Sequence, residues 1–186
     1  MKPKTVIAIV GLPTTGKTTL GRALAQKTGV HFVDIDEGPA SCAPAQEQNP
    51  YRSDEARARE RARMTVAYTV LHAAVETNLI HGFSLIIAAT YSRHSSQDFL
   101  QAAVARGGGV LKIIWCQYHD TSEEIERRVA DRLAHGAVGG CRSTSHYLDD
   151  KGRHEGITLP HTVVLMDGGE KGTQKAVEQA LAYIHS

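Results

Sequence analysis

The sequence predicts an α/β fold, three layers with helices on both faces of a five-stranded parallel sheet. Two observations predict it. Short β-branched runs alternate with helical patterns, the signature of parallel strands joined by crossover helices. Residues Gly11-Leu-Pro-Thr-Thr-Gly16-Lys17-Thr18 also complete a G-x-x-x-x-G-K-[ST] loop, set between an apolar run and a helix-like segment as a phosphate-binding loop requires. The 186 residues, 41% hydrophobic and 5% aromatic, are expected to form one domain spanning 1–186, with a core large enough to fold by itself.

The first strand is Thr5-Val-Ile-Ala-Ile-Val10, and further strands are expected near 31–35, 84–89, 110–116 and 162–166. After the loop, Thr19-Leu-Gly-Arg-Ala-Leu-Ala-Gln26 reads as helix. Met64, Ala67, Leu71, Ala74, Val75 and Asn78 recur at three-and-four spacing, as do Val177, Ala180, Leu181 and Ile184, which predicts two amphipathic helices. Thr121-Ser-Glu-Glu124 is a capping box ahead of Ile125, Val129 and Leu133, so a further helix starts there. Two stretches carry no clear period: residues 37–51, rich in Ala, Pro and Gln, and residues 134–160, rich in Gly, His and Asp. Irregular stretches of that length inside a compact domain point to function or to disorder.

Lys and Arg total 21 against 20 Asp and Glu, so no global field draws the chain onto nucleic acid or an anionic membrane. The apolar runs are too short to span a bilayer, and Met1-Lys-Pro-Lys leads straight into the first strand, so the expected location is the cytoplasm. Cys42, Cys116 and Cys141 show no C-x-x-C spacing and read as reduced thiols rather than disulfide or zinc partners.

The loop chemistry suits a nucleoside triphosphate. Glycines at 11 and 16 let successive backbone N–H groups turn inward around a phosphate, and the following helix adds its positive end. Gly11, Pro13, Thr14, Thr15, Gly16, Lys17, Thr18 and Thr19 are the expected nucleotide contacts. Within that set, Lys17 would reach the β- and γ-phosphates and the Thr18 hydroxyl would ligate Mg²⁺. The second strand ends Val33-Asp34-Ile-Asp36-Glu37, at the sheet edge where open α/β folds bind ligands. Asp34 and Asp36, two apart on an extended chain, point to one side, so one of them can face the γ-phosphate region, orient an acceptor hydroxyl and accept its proton. The plainer alternative is a strand end that begins a turn, with aspartate bonding to the backbone.

Arg128 and Arg132 are four apart on the capped helix, with Glu124 one turn earlier, and could close over the phosphates or form only a solvated salt-bridge column. Arg142 is a candidate of the same kind. The segment from Arg52 to Arg63 carries five arginines against three acids at a helix start, where positive charge opposes the macrodipole unless an anion offsets it; an exposed mixed-charge face is the commoner reading. His135, His146, His154 and His161 match no compact metal site and read as surface or loop histidines.

Together, the phosphate loop, the Val33-Asp-Ile-Asp36 strand end, the Leu85-Ile-Ile-Ala-Ala-Thr90 strand, the Arg128 and Arg132 pair and the closing Leu159-Pro-His-Thr-Val-Val-Leu-Met-Asp167 segment resemble the small P-loop kinases. That group includes gluconate kinase, adenylylsulfate kinase, chloramphenicol phosphotransferase, zeta toxin and the kinase part of polynucleotide kinase. The resemblance spans nearly the whole chain. It implies a P-loop NTPase fold with a base-like Asp36 after the second strand and an arginine-bearing lid over residues 134–160. Its members transfer the γ-phosphoryl of ATP to a hydroxyl or similar acceptor. The chain departs from the group at Ala88, where the third strand commonly ends in a carboxylate that helps hold the Mg²⁺ water shell.

The expected function is therefore an ATP-dependent phosphotransferase acting on a hydroxyl of a small molecule, with catalytic Lys17, Asp36, Arg128 and Arg132, metal-binding Thr18 and Asp34, and ATP and Mg²⁺ as cofactors. Alternatives are a nucleoside or nucleotide kinase, and a nucleotide-gated binding protein with weak ATPase activity. A small GTPase is disfavoured because the chain has neither an Asn-Lys-x-Asp motif nor an Asp-x-x-Gly following a strand. The acceptor's identity and the oligomeric state stay open.

Overall fold

A computed structural model describes residues 4–43, 53–119, 121–134, 141 and 143–186. Strands β1 (Thr5–Val10), β2 (His31–Asp34), β3 (Leu85–Ala89), β4 (Val110–Gln117) and β5 (His161–Leu165) form one parallel sheet in the order β2-β3-β1-β4-β5. β1 is central and buried on both faces, as its unbroken apolar run requires. The chain first winds from β1 to one edge and later crosses to the other. This reversal leaves a crevice above the carboxyl end of β1, where the phosphate loop lies.

Helices α1 (Lys17–Thr28) and α6 (Gly169–His185) cover one face, with Leu20, Leu24, Ala176 and Ala180 packed on Ile7, Ile9, Ile86 and Ile114. Helices α2 (Asp54–Ile80) and α3 (His94–Arg106) cover the other, with Leu71, Val75, Leu79, Leu100 and Ala103 packed on Val6, Ala8, Leu85 and Ile87. Ser53 caps α2 by accepting from Ala56 N–H at 3.1 Å, and the expected cap of α4 (Ser122–Ala134) forms through Thr121 and Glu124 N–H at 3.3 Å. A small third cluster joins Ile125 and Val129 of α4, Cys141 and Tyr147 to Leu12 of the loop.

Two helices lie where no hydrophobic period is legible. α3 has no side-chain cap of its own; the Glu155 carboxylate caps it from 61 residues away, accepting from His94 N–H at 2.8 Å. α5 (Thr144–Gly152) lies inside the stretch expected to be irregular, capped by Ser143 and burying only Tyr147. Residues 155–158 are equally ordered by contact. Gln97, itself 2% exposed, donates to Gly156 O at 2.7 Å and accepts from Thr158 N–H at 3.1 Å, while Glu155 N–H donates to Ser92 O at 2.9 Å. The lid expected over 134–160 is thus tied to α3 at its carboxyl end. His154 lies in the loop after α5, as expected, and His161 opens β5; both rings pack on Trp115, at 5.9 and 5.5 Å between centroids.

Candidate active site

The loop conformation follows from its glycines. Gly11 sits at φ +143°, and a Cβ there would lie 2.3 Å from the Cys116 carbonyl oxygen, so only a glycine lets the chain leave β1 against β4. Gly16 at φ +90° is the N-cap of α1 and turns the backbone into the helix. Between them, Thr14 is held at φ +65°, a conformation that non-glycine residues rarely take. Thr15 turns inward, its hydroxyl donating to Leu12 O at 2.9 Å, while the Cys116 thiol donates to Thr15 O at 3.0 Å. Neither Gly11 nor Thr15 lines the cleft; both hold the loop's shape. Pro13, Thr14, Gly16, Lys17, Thr18 and Thr19 line it, with α1 pointing its amino end into the space.

Lys17 Nζ donates to Leu12 O at 2.7 Å, and burial pulls its pKa down against the opposing pull of Cys116, Asp36 and Asp34. β2 ends at Asp34, earlier than expected, and the chain turns immediately. Asp34 Oδ1 accepts from Asp36 N–H at 3.0 Å, so the turn, rather than strand alternation, brings Asp36 beside it. Asp34 Oδ2 accepts from the Thr18 hydroxyl at 2.6 Å. Asp34 is also the register partner of Ala88, so the neighbouring strand presents a carboxylate beside the position where β3 lacks one. Thr18 and Asp34 supply only hard oxygen, which fits Mg²⁺, a cation that keeps several waters and leans on phosphate oxygens. Among the described residues no cluster of three or more His, Cys, Asp or Glu is placed to hold a metal unaided.

Burial and the nearby Asp34 charge push the Asp36 carboxyl above its ordinary 3.8, opposed by Lys17, Arg132 and Arg63. Arg132 Nη2 lies 3.8 Å from Asp36 Oδ2. Arg128 does something different. It is buried, donates through Nη1 to Thr14 O at 3.0 Å, and lies 4.0 Å over the Tyr118 ring, so it braces the loop backbone. Glu124 accepts from Arg127 and also pairs with Arg128 at 3.9 Å, so the expected Glu124–Arg128 contact forms, but with Arg128 buried rather than solvated. Arg52, His135 and Arg142 lie outside the described residues.

The loop, the β2 end and α4 open onto one cleft of 1380 Å³, larger than the about 300–1,000 Å³ typical of a single small ligand. One end is walled by Tyr118, Arg127, Met166, Gly168 and Thr173; the other by Arg63, Met64, Tyr68, His146 and Asp150. Sequence reasoning did not single out Tyr118, Tyr68 or Asp150. Tyr118 carried a signal, lying just past the end of β4 at the ligand-binding edge, whereas Tyr68 and Asp150 reach the cleft only through helix packing.

No helix among the described residues is long and apolar enough to cross a membrane. No curated protein matches the sequence. Solved structures similar to this chain include a provisionally named kinase of Chloroflexus aurantiacus, 19% identical, covering 98% of this chain and 99% of its own with a TM-score of 0.72. A sugar kinase of Janibacter sp. is 19% identical over 98% and 95% of the two chains, with a TM-score of 0.64. A gluconokinase of Sinorhizobium meliloti is 17% identical over 98% and 92%, with a TM-score of 0.61. Identities this low speak to the fold, which is that of the small P-loop kinases. The AAA domain family matches residues 6–148, and the chain belongs to that family.

Proposed function

We propose that this protein is an ATP-dependent phosphotransferase that moves the γ-phosphoryl group to a hydroxyl of a small molecule, and that it works in the cytoplasm. The observation that carries the reading is the division of labour at the end of β2: Asp34 is bound to Thr18 at 2.6 Å, while Asp36, with a raised pKa, stands beside Lys17 and Arg132. One carboxylate faces the metal position and the other the reacting group. The sugar kinase and gluconokinase among the similar structures support a hydroxylated acceptor.

Backbone N–H groups of Thr14, Gly16, Lys17, Thr18 and Thr19, at the amino end of α1, would cradle the phosphates, with Lys17 on the β- and γ-phosphates. Thr18 and Asp34 would hold Mg²⁺, which would supply neutralisation of the phosphate charge when bound. Asp36 orients the acceptor hydroxyl and takes its proton as the oxygen attacks phosphorus. Arg132, within reach of Asp36, stabilises charge on the transferring group, and Arg128 keeps Thr14 and the loop in place. Acceptor-dependent ADP release, profiled over sugars, sugar acids, nucleosides, antibiotics and amino alcohols, tests the reading. Slow ATP hydrolysis that no acceptor stimulates would refute it in favour of a nucleotide-gated binding protein.

A further inference from the structure

Arg63 is 4% exposed yet lines the cleft at the acceptor end. A guanidinium withdrawn from water needs its donors answered, and Glu60 answers one edge only. Glu60 accepts from Nε at 2.9 and 3.0 Å and from Nη2 at 2.7 Å, with Met64 Sδ also 3.0 Å from Nη2. Nη1 makes no hydrogen bond to any described residue. Arg63 also acts electrostatically on Asp36, so the two face a common space.

The charge around that space is unbalanced. Asp36 stands against Arg132, Asp150 against Arg153, and Glu60 against Arg63. Arg57 and Arg61 line the same end from the first turns of α2 and form no ion pair with a described residue. Two exposed guanidinium groups without a paired carboxylate among the described residues leave that end net positive and favour an anion there.

Resting on the phosphotransferase reading, we infer that the acceptor is an anion: it carries a carboxylate or phosphate group, held by Arg63 with Arg57 and Arg61 at the rim, at the end opposite the hydroxyl that Asp36 activates. A guanidinium already fixed by Glu60 is preorganised for such an oxyanion, and neutral polyols would leave its open edge unanswered. The Glu60 pair therefore orients Arg63.

Two measurements test this. With the nucleotide site saturated by a nonhydrolysable ATP analogue and Mg²⁺, inorganic phosphate should bind the wild-type protein by calorimetry. Arg63→Gln should weaken that binding about tenfold to a hundredfold, the range for losing a charge-assisted hydrogen bond, and the exposed Arg61→Ala, which endangers no packing, should weaken it less. In turnover, a matched series of an alditol, its aldonic acid and its phosphate ester should show a KM at least about tenfold lower for one charged member, an advantage that Arg63→Gln removes without changing the KM for ATP. Which member wins separates carboxylate from phosphate. Phosphate binding that is absent, or equal in wild type and both variants, overturns the inference. So does an alditol used as well as its charged relatives, and that outcome leaves the phosphotransferase reading standing. No acceptor-dependent ADP release at all would instead fell that reading, and this inference with it.

Discussion

Gly11→Ala should cripple the protein for a reason that is geometric rather than chemical. The added Cβ would lie 2.3 Å from the Cys116 carbonyl oxygen and 3.2 Å from Thr15 Oγ1, at a backbone φ of +143°. Cys116 cannot withdraw, because it sits in β4 opposite Val164 of β5, while Val10 just before the loop is held against Trp115. Relief must come from the loop. Overpacking of this kind costs about 1–3 kcal/mol and the strained φ a further about 1–3 kcal/mol, so about 2–6 kcal/mol in all. For a chain of this length about 2–4 °C is lost per kcal/mol, which puts the fall in Tm at about 4–24 °C. Gly29→Ala is the control, with φ +70° and no atom within 4 Å of the new Cβ, and it should cost about 1 kcal/mol. Thermal unfolding without ligand compares the two, and an ATP titration well below both midpoints asks whether the displaced loop still binds. A Gly11→Ala protein that melts together with Gly29→Ala would refute the close approach of loop and β4.

Asp36→Asn should leave ATP binding intact and lower transfer by about two orders of magnitude or more if the residue is the base; a larger loss in Asp34→Asn would assign the base there. The same variant has a stability signature. Because the folded carboxyl titrates above 3.8, the native state keeps a proton that the unfolded chain has lost, so this group's contribution to stability declines as pH rises through that window. The Tm of Asp36→Asn relative to wild type should therefore rise between acid and neutral pH, and a flat difference would contradict the shift. Lys17→Ala should lose nucleotide affinity or turnover with the fold intact, as unfolding and ATP titrations would read; unchanged values for both would remove the phosphate-loop assignment. Ala88→Asp should lower the half-saturating Mg²⁺ concentration, about ten- to a hundredfold by the scale of outer-shell changes, and should rescue Mg²⁺ dependence in Asp34→Asn, since the two positions are register partners. No rescue in a folded double variant would separate β3 from the metal. Amide exchange should rise through α5 relative to residues 155–158 without ligand and fall there on adding nucleotide and acceptor, whereas uniform protection would argue for a static cover.

What the sequence determined by itself was everything local. The strand–loop–helix with its glycines and Lys17, the order of five strands along the chain, and the capping box at Thr121 are each written within a few neighbouring residues, where spacing and backbone sterics suffice. Tertiary structure decided what depends on residues far apart. α3 was illegible because its cap, Glu155, arrives from 61 positions away, and α5 because one buried tyrosine makes no period. Arg128 and Arg132 of α4 look equivalent in sequence, yet packing sends Arg128 to the backbone of Thr14 and Arg132 to Asp36. The gap at Ala88 reads as a defect along one strand. Only the pairing of β2 with β3 reveals Asp34 beside it, because register is a relation between strands that no single stretch of chain contains.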